Sequence, residues 1–137
     1  MQTKRGQLST EYLVIVGFIS FLVIGLLAFS LFYTSSVQDS IRMSNLAQFA
    51  SKVVVNAESV YYAGEPSRVV VIATLPTGVT SIQVLPNEIV FKIETGSGLS
   101  VISYSSNVPL QGSISSHYGV KRITLEAGES SVIIKEG

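Results

Sequence analysis

The sequence predicts an α+β protein: one long N-terminal hydrophobic helix followed by a small antiparallel β-sandwich head. Three observations predict it. Residues 12–38 carry no charged side chain. Apolar residues then recur at mostly three- and four-residue steps as far as Tyr61, the period of a helix with one buried face. From Ser67 onward the pattern changes to short β-rich runs separated by Gly, Pro and Asn.

The first element follows from the charges. Leu13 to Tyr33 is a run of 21 residues in which only Ser20 and Ser30 are polar. A helix crossing the hydrocarbon core of a bilayer needs about 20 such residues, so 13–33 reads as a transmembrane segment. Lys4 and Arg5 precede it, which holds the start of the chain in the cytoplasm and sends the remainder outside. No Pro occurs before Pro66, so the helix continues to about residue 62. A helix of that length spans roughly 80 Å, far more than a membrane. Its second part, 34–62, is amphipathic: Val37, Ile41, Leu46, Phe49, Ala50, Val53, Ala57 and Val60 form one stripe. That stripe is expected to pack on the β domain. Ala63-Gly64-Glu65-Pro66 then supplies a helix stop.

The β domain is expected over 67–137, with strands at 68–74, 80–85, 89–94, 99–104, 113–115, 120–126 and 131–135. Seven short strands at this spacing point to a sandwich. Some 70 residues without disulfides form a marginal core, and the helical stripe is the natural extra layer.

Composition removes most chemistry. The chain has no cysteine and one histidine, His117, so thiolate and multi-histidine metal sites are excluded, and no cofactor is expected. His117 follows Ser115 and Ser116 with no acidic residue close by to orient it, which is not a catalytic triad. Nine basic residues balance nine acidic ones, so nucleic acid is not an expected partner. Lys121-Arg122 is not a basic patch, because neighbours in a strand face opposite ways. The protein is not expected to be an enzyme.

The distinctive signal lies at the start: Lys4-Arg5-Gly6-Gln7-Leu8-Ser9-Thr10-Glu11-Tyr12-Leu13. A secretory signal peptide places its small-residue cleavage site after the apolar core; here the small residue Gly6 precedes it. A cut after Gly6 removes the basic leader, residues 1–6, and retains the apolar helix from Gln7. This segment closely resembles the class III signal peptides of archaeal type IV pilins, in which a charged leader ending in Gly is followed by Gln-X-Ser-X-Glu and an aliphatic run. Gln7, Ser9 and Glu11 match that motif position for position. The Glu-Tyr pair is also similar to bacterial tight-adherence pilins, which are usually shorter and lack a β domain. Archaellins share the helix-plus-sandwich plan but usually start with a Gly- and Thr-rich segment.

The resemblance implies cleavage between Gly6 and Gln7 by a prepilin peptidase. It further implies polymerisation into an extracellular cell-surface pilus by an assembly ATPase and a membrane platform protein, for adhesion or surface attachment. The precursor would wait in the plasma membrane. In physical terms, Gly6 offers a protease a backbone without a side chain, and Lys4 and Arg5 set topology. Glu11 sits one turn into an apolar helix, where a buried carboxylate is costly unless paired. The α-amine created at Gln7 of a neighbouring copy is a fitting partner and would set axial register. The alternatives are a minor pilin or single-span anchored β-sandwich binding protein that does not polymerise, and a secreted domain cut near Ala28-Phe29-Ser30.

Overall fold

A computed structural model describes residues 3–137, with side chains described from Gly6 onward. The topology role expected of Lys4 and Arg5 falls on side chains outside the described residues, and so does the start of the leader. The fold is α+β: a helix α1 (Thr3–Ala63) and seven strands, β1 (Arg68–Leu75), β2 (Val79–Leu85), β3 (Glu88–Thr95), β4 (Gly98–Ser105), β5 (Leu110–Gly112), β6 (Gly119–Ala127) and β7 (Val132–Glu136). The helix begins before Gln7 and runs through Gly6, because nothing in that stretch breaks it. It ends where Gly64 takes a left-handed φ of 77° and its N–H donates to the Tyr61 carbonyl at 3.1 Å, a glycine stop of the expected kind. The chain divides into two compact units, one ending at Gln38 and one running Asp39–Gly137.

In the first unit every residue from Gly6 to Gln38 is exposed. Three of its hydroxyls are absorbed locally: Thr10, Thr34 and Ser35 donate to the carbonyls of Gly6, Ser30 and Leu31, one turn back. Such bonds let a polar side chain sit in an apolar helix without an unsatisfied donor.

The second unit holds the core. From its helical part, Leu46, Phe49, Ala50, Val53, Ala57 and Val60 are buried at the predicted spacing. They meet Val71, Ala73 and Leu75 of β1, Ile89, Phe91 and Ile93 of β3, and Ile123 and Leu125 of β6 in one cluster. Phe91 anchors it, with Phe49 and Tyr104 packed edge-on at 6.1 and 5.8 Å. Each such side chain contributes about 1.5–3 kcal/mol on burial.

The strands form two sheets, ordered β1-β6-β7-β5 and β2-β3-β4. All pairings but one are antiparallel. The exception is β5, which runs parallel to β7 through Leu110↔Val132 and Gln111↔Ile133. The fifth strand also departs from expectation. It lies at Leu110–Gly112, while 113–115 is not a strand. Gly112 explains the end of β5: its φ is +126°, and a Cβ there would collide with the Ile134 backbone carbonyl. The chain leaves the sheet at that point, having no side chain to obstruct it.

Hydrogen bonds join the two sheets at both sides. On one side the Leu110 N–H donates to the Pro86 carbonyl at 2.8 Å, linking β5 to the end of β2. On the other side stands the helix. Asp39 Oδ2 accepts from the Gly96 N–H at 2.9 Å, just before β4. Glu58 Oε1 accepts from the N–H and Nδ2 of Asn107, just after it. Nineteen helical residues span about 28 Å and an eight-residue strand about 26 Å, so the two carboxylates reach both ends of β4. Lys52 Nζ donates to the Ile72 carbonyl of β1 at 2.7 Å, occupying a backbone acceptor on the edge that β6 leaves free. A lysine at a strand edge also discourages pairing with another chain.

Candidate functional site

The residues singled out at the start of the chain lie on one helical segment. Gly6, Gln7, Ser9 and Glu11 are all exposed. Gln7 and Glu11 are four apart and share a face; Ser9 lies on another. A Cβ at Gly6 would meet nothing within 4 Å, so its glycine answers no packing need within this chain. Among the described residues Glu11 makes no ion pair.

Beyond Glu11 lies the largest chemical feature of the molecule. Eighteen large hydrophobic side chains between Leu8 and Tyr33 are exposed, from 43% at Val16 to 81% at Phe32. None of the most apolar stretch of this helix is buried. At about 1.5–3 kcal/mol for each such side chain, leaving this surface in water costs tens of kcal/mol. It is apolar on all sides rather than along one stripe, as expected of a helix surrounded by lipid or by other helices.

The conventional sites are poor by comparison. Among the described residues no three His, Cys, Asp or Glu side chains converge on a point that could hold a metal. His117 is exposed. A cleft of about 300 Å³ lies between α1 and the free edge of β1, lined by Asn45, Gln48, Lys52, Ile72 and Thr74. The Lys52 ammonium there is already engaged by the Ile72 carbonyl.

One polar cluster escaped the sequence reading. Lys121 is only 5% exposed and donates to Glu136 Oε1 at 2.6 Å and to Ser115 Oγ. Ser115 in turn gives its N–H and its hydroxyl to the two Glu136 oxygens. Burial pushes the Glu136 carboxyl up, but these donors outweigh it and hold it below the usual carboxylate range. Lysine beside serine is a pairing some hydrolases use. Here the Lys121 Nζ donates to both Ser115 and Glu136, and Ser115 is itself bonded to the Glu136 carboxylate, so the group is a closed network of donors around one carboxylate. The cluster ties the 113–118 segment to β6 and β7. Its signal was legible: Lys121, Ile123 and Leu125 alternate along β6, and the lysine stands on the inward face of that alternation. Arg122, facing the other way, is exposed.

A second, exposed cluster joins Glu126 to Arg68 at 3.4 Å and Lys135 at 2.7 Å. The Lys135 hydrogen bond, ahead of the charges of Lys135 and Arg68, lowers the Glu126 carboxyl despite partial desolvation. Burial pushes the Tyr104 phenol up. Comparison with protein-family models, with curated proteins and with solved structures finds no match to this chain.

Proposed function

We propose that the chain is the structural subunit, a pilin, of an archaeal type IV pilus. In this reading a prepilin peptidase cuts after Gly6 and the protein polymerises through its apolar helix. An assembly ATPase and a membrane platform protein drive that step, and the filament serves adhesion or surface attachment. The observation that carries the reading is the juxtaposition at the N-terminus. Gly6, Gln7, Ser9 and Glu11 stand directly before an uncharged helical surface that is exposed on every side. Such a surface suits two successive environments, lipid before assembly and the helices of other copies afterwards. The β head would then form the outside of the filament.

The test is the intact mass and N-terminal sequence of the protein from native cells, alongside a Gly6→Phe variant. The expected mature chain starts at Gln7, and Gly6→Phe accumulates as membrane-bound precursor. A start at Met1 instead indicates a single-span anchored protein, and a start near Leu31 a secreted β domain. Either one overturns the reading.

A further inference from the structure

The two sheets present outer faces of matching character. On β1 and β6, Val70, Ile72 and Val120 are 50, 51 and 74% exposed, and Ile72 pairs with Arg122 across the ladder. On β4, Leu99 and Val101 are each 61% exposed; they pair with Glu94 and Lys92 of β3. Both faces thus carry a small apolar cluster, set mainly on the edge strands β1 and β4, beside charges, the mixture that protein interfaces use.

The charges on the two faces are complementary. The first face carries Arg68, Arg122 and Lys135 against the single carboxylate Glu126. Arg68 and Lys135 are both engaged by Glu126, whereas Arg122 forms no ion pair among the described residues. The second face carries Glu88 and Glu94 against the single cation Lys92, and none of these three is ion-paired among the described residues. The cation left over beside Ile72 therefore has its counterpart in the carboxylate left over beside Leu99.

We infer that the outer face of the four-stranded sheet of one copy docks on the outer face of the three-stranded sheet of a second copy. Ile72 packs against Leu99 and Val101, and Arg122 pairs with Glu94. The inference rests on the filament reading and adds to it the contact between heads. The two faces belong to opposite layers of one sandwich, so the contact is head-to-tail. Repeated, such a contact builds an open filament wherever the rotation between copies does not close a ring. Three strands about 4.8 Å apart and about 25 Å long offer roughly 350 Å² per copy, below the ~800 Å² of a stable standard interface. The head contact is therefore weak by itself and forms where another attachment, the apolar helix, holds copies together.

The chain contains no cysteine, which makes cross-linking clean. Full-length Ile72→Cys and Val101→Cys chains are co-expressed, assembled and treated with a short bis-maleimide. The expected result is a covalent dimer in the mixture and none in either variant alone. In a chain carrying both substitutions, a ladder is expected. Dimers from Ile72→Cys alone, or no cross-link in material that sediments as polymer, overturn the inference while leaving the filament reading standing. A chain that never sediments as polymer overturns both. Arg122→Glu is expected to reduce the cross-link several-fold, and adding Glu94→Arg to restore it. Since the two residues lie in different sheets, the rescue distinguishes docking from a folding defect; failure of rescue counts against the Arg122–Glu94 pair.

Discussion

The two halves of α1 share one backbone conformation and differ in what their side chains meet. Between Leu8 and Tyr33 the apolar residues lie on all sides of the helix, and every one of them is exposed. Between Leu46 and Val60 most of them lie along one buried stripe, with Val55 on the exposed side. The first half is a surface that needs an environment supplied by something else. The second carries its environment with it, as the helical layer of the β head. Hydrophobicity alone does not separate a helix that packs on its own domain from one left exposed on all sides; its distribution around the axis does.

Four predictions test this contrast on the full chain, with stability of the head measured in detergent micelles and insertion measured in membranes. The largest effect belongs to a charge. Val53→Asp places a carboxylate in the buried cluster with no partner and is expected to unfold the head, a cost above about 4 kcal/mol. Val23→Asp is expected to leave the head folded and instead weaken membrane insertion, by about 2.5–3.5 kcal/mol. Protease resistance of the head and the membrane-bound fraction separate the two. A head destabilised by Val23→Asp would show that the halves are not energetically independent.

A truncation comes next. Phe49→Ala removes a side chain 2% exposed against Phe91 and should cost about 3–5 kcal/mol. Phe21→Ala, at a position 72% exposed, should leave the head's thermal midpoint unchanged within error. Smaller still is the hold of the helix on the ends of β4. Glu58→Gln leaves one acceptor but removes its charge and should cost about 1 kcal/mol, measured by urea denaturation; an unchanged midpoint would mean that the charge of Glu58 does not help to hold the helix on β4.

The smallest effect is in acid. Glu136 titrates below its ordinary value of 4.5 in the folded chain. Its contribution to stability is therefore present above about that pH and is lost as the pH falls through the lower folded value. Lys121→Met should flatten this acid limb while leaving the head folded at neutral pH. An acid limb that is unchanged in Lys121→Met would assign it to other carboxylates, Glu126 among them.

How much was legible can be argued from particular residues. The position of β1 to β4 and β6 followed from alternation and turns: Ile89, Phe91 and Ile93 face the core as expected, and turns fall at Gly78 and near Gly96. The fifth strand did not follow. Gln111 and Gly112 carry no strand preference, and β5 exists because β7 and the Pro86 carbonyl lie where its backbone can bond. The N-terminal motif was legible residue by residue because it is a local chemical pattern. The exposed apolar clusters on the two sheet faces were not, since which strands lie side by side is a matter of long-range pairing.

Some features depend only on neighbours along the chain and can be read from residue order. These are the uncharged span, the helical period and its glycine stop, the alternation within strands, and the absence of thiols. The sheet order, the parallel β5–β7 pair, the partner of Lys121, and the two residues of α1 that bond to the ends of β4 arise only when distant segments pack together. The physical reason is range. Backbone propensity and amphipathic period act within a turn or two of helix or strand. A buried ion pair or a strand neighbour is chosen among segments tens of residues apart, by which of them together exclude water and leave no polar group unpaired.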